Sequence, residues 1–144
     1  VVLLFVAGAC GVGAADLDRA DLAGVWVLKS MEAGGRSSVI EAGRNTAKLP
    51  YVEIGDRLQG SYGCNDFGGS YSIDGGTIVP GDVGGHLLLC LGPEGTDPMY
   101  AEDQLRPMLH ANLPIVVKTD GDEMTWASIG RTLTFARVDE VPAG

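Results

Sequence analysis

Gly60-Ser61-Tyr62-Gly63-Cys64-Asn65-Asp66-Phe67-Gly68-Gly69-Ser70-Tyr71 sets one cysteine among turn-forming residues, between two short segments that can alternate as strands. Asn65 is the residue to watch in it, because Asn side chains bond nearby backbone and tolerate left-handed conformations. Upstream, Tyr51-Val52-Glu53-Ile54 alternates, Gly55-Asp56 turns the chain, and Arg57 to Tyr62 returns as its partner. Downstream, Ser70-Tyr71-Ser72-Ile73 and Thr77-Ile78-Val79 flank Asp74-Gly75-Gly76. Asp-Gly is a strong hairpin signal because the turn needs positive φ.

Further outward, Gly24 to Ser30 reads as a strand with Trp26 and Leu28 on one face. Glu32 to Lys48 reads as a long turn with a short strand at Ser38-Val39-Ile40. His86-Leu87-Leu88-Leu89-Cys90-Leu91 is short and apolar, as expected of a strand buried on both faces. One good helix candidate follows. Asp97 is placed to cap it, Pro98 suits its first position, and Glu102 and Asp103 lie early. Ala101, Leu105, Met108 and Leu109 give it one apolar face, and Pro107 should end or kink it near Arg106. Ile115 to Lys118, Glu123 to Ala127 and Arg131 to Arg137 read as a C-terminal meander. The expected class is mainly β (α+β): about seven or eight antiparallel strands in a small curved sheet or partly closed barrel, with one helix packed against it.

Composition agrees with that reading. The 144 residues suit one domain, and 22 Gly with 7 Pro favour short strands and tight turns over long helices. The net charge of −9, with only 10 scattered lysines and arginines, disfavours a nucleic-acid partner and attraction to an anionic membrane.

Val1 to Ala9 is apolar and uncharged, too short to span a bilayer, and resembles the end of a secretory signal. Ala7-Gly8-Ala9 fits ordinary signal-peptidase cleavage. With Cys10 the same residues resemble a bacterial lipobox, although Ala7 stands where Leu is usual. Cys10 is then a lipidation candidate; a buried first strand is the alternative. The expected organisation is a truncated signal at 1–9, a tether at 10–22, a domain at 23–138 and a tail at 139–144. If Cys10 is set aside, Cys64 and Cys90 remain as an even pair. A bridge between them would close a loop of about 27 residues, worth roughly 3–4 kcal/mol. Two separate buried thiols are the alternative.

The quoted run resembles the G-x-x-G-C-N-x-[FY]-x-G-x-Y signature of META domains, the family of the HslJ-type heat-shock lipoproteins. Its signature turn here comprises Gly63, Cys64, Asn65, Gly68 and Tyr71. Trp26 and Leu28, Glu102 in the helix, and Leu133, Phe135 and Arg137 near the end are further traits. The resemblance runs from about Trp26 to Arg137. It implies a downstream cysteine before the helix, a place that Cys90 fits. It also implies a lipid-anchored or secreted bacterial protein linked with stress or drug tolerance, and no defined reaction. Two positions depart from the family pattern: Gly85 to Leu89 lacks a common Thr, and Asp66 replaces a basic or neutral residue.

Catalytic and metal constellations are sparse. Cys64 with His86 or His110 as base lacks the electropositive setting that a thiolate needs. Zinc on Cys64, Cys90, His86 and His110 lacks ligand spacing, since i and i+4 in a strand lie about 13 Å apart. Asp120 to Glu123 lacks the pattern of a calcium loop and reads as a hairpin turn. Tyr62, Phe67 and Tyr71 could form an aromatic surface for a partner or belong to the core. The expectation is a non-enzymatic exported envelope protein with no cofactor and an unknown protein or small-molecule partner, reaching a membrane only through a lipid anchor. The alternatives are a binding module for a small apolar ligand or peptide, and an exported protease inhibitor presenting Glu32 to Lys48.

Overall fold

A computed structural model describes residues 16–143. The signal-like residues 1–9, Cys10 and the first part of the expected tether lie outside the described residues. A short helix α1 (Arg19–Leu22) precedes β1 (Gly24–Ala33), β2 (Arg36–Val39), β3 (Tyr51–Ile54), β4 (Leu58–Ser61), β5 (Asp66–Asp74) and β6 (Thr77–Gly85). Helix α2 (Tyr100–His110) then leads to β7 (Ile115–Asp120), β8 (Glu123–Ser128) and β9 (Arg131–Val138).

From β3 to β9 each strand pairs antiparallel with the next, and β9 returns to β1 from Val25↔Val138 to Ala33↔Arg131. The result is a closed antiparallel barrel of eight strands, with β2 as an extra strand. β1 makes this arrangement possible by dividing one edge between two partners. Gly24 to Val27 pair with β3, and Ser30 to Ala33 pair with β2, either side of an irregularity between Leu28 and Ser30. The period-two pattern turns Met124 and Trp126, Leu133 and Phe135, and Trp26 and Leu28 into the core. Trp126 packs on Phe135 with ring centroids 5.0 Å apart, so large side chains fill the barrel.

One seam is thin. β6 and β7 pair only at Thr77↔Val116 and Ile78↔Ile115. Beyond these two pairs α2 packs against β6, burying Ala101, Leu105, Met108 and Leu109. The helix starts later than its sequence signals predict. Asp97 caps a separate turn, its Oδ1 accepting from Met99 N at 3.3 Å, and the first helical N–H groups find other acceptors. Ala101 N, for example, donates to Asn45 O at 3.0 Å. Nor does Pro107 end the helix. Met108 and Leu109, both beyond the proline, are fully buried, and that burial holds the last turn in place.

Three other stretches differ from expectation. His86 to Leu91 is an exposed loop instead of a buried strand: Leu87, Leu88, Leu89 and Leu91 are 80%, 68%, 74% and 84% exposed. An apolar run without alternation does not specify its own burial, and here α2 occupies the flank of β6 where another strand would pair. The expected long turn at Glu32 to Lys48 is a β1–β2 hairpin followed by a cross-bonded bend. In that bend Asn45 Oδ1 accepts from Glu41 N at 2.8 Å and Nδ2 donates to Val39 O at 2.8 Å. Part of the segment expected as tether is packed on the barrel. Leu22 is fully buried, Trp26 Nε1 donates to Leu22 O at 2.8 Å, and Leu17 N donates to Gly75 O at 2.9 Å.

Candidate functional site

Between β4 and β5 the chain turns through Tyr62 to Asn65. Gly63 takes φ +116°, and a Cβ there would collide with Thr46 Oγ1. Glycine is therefore required for two reasons, backbone conformation and close approach. The turn is pinned from below: Lys48 N donates to Gly63 O at 2.9 Å, and Thr46 Oγ1 donates to Lys48 O at 2.5 Å.

Asn65 is 2% exposed and every polar atom of its side chain is used. Its Nδ2 donates to Glu102 Oε2 and to Leu88 O, both at 2.8 Å, and its Oδ1 accepts from Leu88 N at 2.7 Å. Its backbone N–H donates to Glu102 Oε1 at 2.8 Å. The amide therefore replaces a strand partner for Leu88, and it ties the 86–91 loop to the helix.

Glu102 is 3% exposed, and its second oxygen also accepts from Arg106 Nη2 at 2.8 Å. Glu102, Arg106 and His110 are spaced by four residues, which lines them along one side of α2. Arg106 also donates to His86 O at 3.2 Å and lies over the Tyr62 ring at 4.6 Å. Tyr62 stacks on Phe67, centroids 4.5 Å apart, and its hydroxyl meets His110 Nε2 at 2.6 Å.

Burial pushes the Tyr62 hydroxyl well above the ordinary tyrosine range, with Arg106 opposing and Glu102 reinforcing the shift. Desolvation and then the Arg106 charge push His110 below its ordinary value. Both shifts favour the neutral pair, a protonated phenol beside an uncharged imidazole, and the imidazole tautomer sets which of the two donates. Asp103, also on α2, is raised by burial and by Asp97 and Glu102, with Arg106 opposing.

Cys64 and Cys90 form a disulfide, with Cα atoms 5.9 Å apart. Loop 86–91 is thus stapled at Cys90 and bonded at Leu88 and His86, while its leucine side chains point into solvent.

Of the signature residues, the consecutive Gly63, Cys64 and Asn65 lie in this turn, and Gly68 and Tyr71 lie in β5. Gly68 lies within β5 opposite Gln59 and Gly84. Tyr71 donates from its hydroxyl to Gly55 O at 2.5 Å, at the far end of the barrel. The left-handed position in the turn belongs to Gly63, while Asn65 acts through long-range side-chain bonds. The Cys64 sulfur is bonded to Cys90 and so is no free thiolate for a nucleophile, and the pair is closed to zinc in this state. Tyr62, Phe67 and Tyr71 are buried in the core, so they form no aromatic surface. Asp120 to Glu123 is the β7–β8 turn, with Gly121 at φ +59°. Sequence reading missed Arg106, His110 and Leu88 as members of this cluster. The spacing of Glu102 and Arg106 is a visible signal for one of them, whereas the bonds to Leu88 are a product of tertiary packing.

As chemistry, the cluster is a lock. Its carboxylate, amide and guanidinium are all engaged internally, and its cysteine is oxidised.

A sequence model of the META domain matches residues 20–140. A comparison with curated proteins finds no match. Two structures solved by NMR are similar in fold. One is 20% identical with a TM-score of 0.65, covering 85% of this chain and 97% of its own. The other, from Burkholderia xenovorans, is 23% identical with a TM-score of 0.61, covering 90% of this chain and 94% of its own.

Proposed function

The chain belongs to the META domain family and is HslJ-like, and from that premise we propose a non-enzymatic, exported protein of the bacterial envelope. The observation that carries the reading is the Cys64–Cys90 disulfide, because disulfides persist in oxidising compartments outside the cytoplasm. The occupied state of the signature residues adds to it. A catalytic carboxylate needs a proton within reach, and Glu102 is nearly fully buried with three acceptor sites taken by Asn65 and Arg106. The signature on this reading is a fastening that presents a loop. A part in stress or drug tolerance, as the family resemblance implies, belongs to the same proposal.

The test is the intact mass of the product purified from bacterial envelopes, measured without reductant and again after reduction and alkylation. Expected are a species processed before Cys10 and two cysteines that alkylate only after reduction. A product carrying residues 1–9, with Cys64 and Cys90 freely alkylated, would overturn export. Turnover of a hydrolytic or redox substrate that depends on Glu102 or Cys64 would overturn the non-enzymatic part.

Of the two alternatives, a surface-binding module is favoured by the exposed leucines of loop 86–91. The filled barrel, with Trp26, Trp126 and Phe135 fully buried, argues against a carrier of small apolar ligands. The cross-bonded 41–46 bend argues against a free inhibitory loop.

A further inference from the structure

We propose that loop 86–91 is a lipid-docking tip that inserts its leucines into the interfacial region of a zwitterionic bilayer. The proposal goes beyond export and does not require a lipid on Cys10. Three observations carry it.

The first is how the leucines are disposed. Leu87, Leu88 and Leu89 are consecutive, and with Leu91 all are between 68% and 84% exposed. Consecutive side chains of an irregular loop leave the backbone in different directions. A rigid protein face laid on one side would cover only some of them, whereas a fluid apolar medium covers all.

The second is the backbone. A peptide group entering a low-dielectric region needs an internal partner. At the middle of this loop Leu88 N–H and C=O are both bonded to the Asn65 side chain, and His86 O accepts from Arg106; the remaining peptide groups of 86–91 keep water as their partner, which limits insertion to the hydrated interfacial region. The disulfide at Cys90 fixes the loop further, so little ordering remains to be done on contact.

The third is charge. No Asp, Glu, Lys or Arg occurs between Asp82 and Glu94, in a chain that is 20% charged. The exposed charges flanking it in sequence and on the adjoining strand, Asp66, Asp82 and Glu94, are acidic, and the one guanidinium at the loop, Arg106, is paired with Glu102. An apolar tip with an acidic rim suits a headgroup layer without net charge and is repelled by an anionic one. Leu17, near the start of the described residues, is bonded to the β5–β6 turn, at the end of the barrel opposite the loop.

The test uses the full chain and phosphatidylcholine vesicles. A Leu89→Trp variant places a reporter in the loop, while the native Trp26 and Trp126 stay buried in the core. With acyl-chain-brominated phosphatidylcholine, the added tryptophan should shift to the blue and lose roughly half of its emission or more. A Leu87→Ser/Leu89→Ser/Leu91→Ser variant, changed only at exposed positions, should keep its melting temperature and partition roughly tenfold less. Adding about a third of phosphatidylglycerol at low salt should weaken partitioning, and salt should restore it. Unshifted and unquenched emission from the introduced tryptophan would overturn the proposal even if the chain sediments with vesicles, because apolar residues 1–9 would then account for binding. Equal partitioning of the triple-serine variant, stronger binding with phosphatidylglycerol, or a leucine-dependent dimer without quenching would each overturn it too. None of these readouts depends on the compartment in which the disulfide forms.

Discussion

Arg137 lies over the Trp26 ring at 4.2 Å and donates to the carbonyls of Ala23 and Asp21, where the described chain enters the barrel. At the other end Arg106 lies over Tyr62 at 4.6 Å and donates to the buried carboxylate of Glu102. Each end has a helix, an aromatic and a guanidinium above it. The entry end is fastened by side chains bonding to main-chain carbonyls, Trp26 to Leu22 and Arg137 to Ala23 and Asp21, and a strand edge would hold much of it without them. The α2 end is fastened by side chains that bond to one another as well as to the main chain of the loop and turn, together with a disulfide. Its loop has no ladder to fall back on. A barrel can thus close with modest contacts, whereas presenting an irregular loop requires a buried polar network with every member satisfied.

The sharpest attempt to break this comparison is Glu102→Ala. It strands Asn65 N–H, Asn65 Nδ2 and the Arg106 charge, and should lower unfolding free energy by about 3–5 kcal/mol in denaturant titration. Arg137→Ala at the entry end should be milder, at about 1–2 kcal/mol, and equal losses would show that the two ends are fastened alike. Between these two in size is the paired Cys64→Ser/Cys90→Ser change, expected at about 2–4 kcal/mol and measurable by calorimetry. Hydrogen exchange should then show loop 86–91 loosened while β1 and β9 keep their protection; uniform loosening would refute a local role for the staple. Trp26→Phe removes one donor to Leu22 O and should cost about 1–2 kcal/mol, concentrated in residues 17–23.

The smallest effect is that of pH. The folded value of His110 lies below its ordinary 6.5, so on acidification the unfolded chain takes up the proton first. This contribution is complete above the ordinary value and is lost as pH falls from there through the lowered folded value. Denaturant midpoints at about pH 7.5 and about pH 5.5 should differ slightly in that direction, because the exposed imidazole is well screened. His110→Gln should flatten the difference.

Much of the barrel is legible in the sequence because its strands alternate. Trp26 and Leu28, Met124 and Trp126, and Leu133 and Phe135 announce their inward face by period two, and Asp74-Gly75 announces its hairpin. Closure by β1 on β9 has no local signal, since it joins residues about a hundred positions apart. The signature turn is legible as a turn, but its partners are not. Asn65 finds Glu102 and Leu88 only once α2 lies beside β6, and the apolar look of His86 to Leu91 conceals that its backbone is bonded elsewhere. The proline signal at Pro107 is correct in chemistry and outweighed in energy, because Met108 and Leu109 beyond it are buried.

The pairing of Val25 with Val138 also sets a schedule for folding. The first long strand has to wait for the last one to be synthesised, and loop-closure entropy makes so distant a contact slow to form. Until then one flank of β1 and one of β8 are unpaired templates for other chains. A chain stopped before Arg131 lacks Leu133 and Phe135 and leaves Trp126 without its ring partner, so it should aggregate rather than form a smaller barrel.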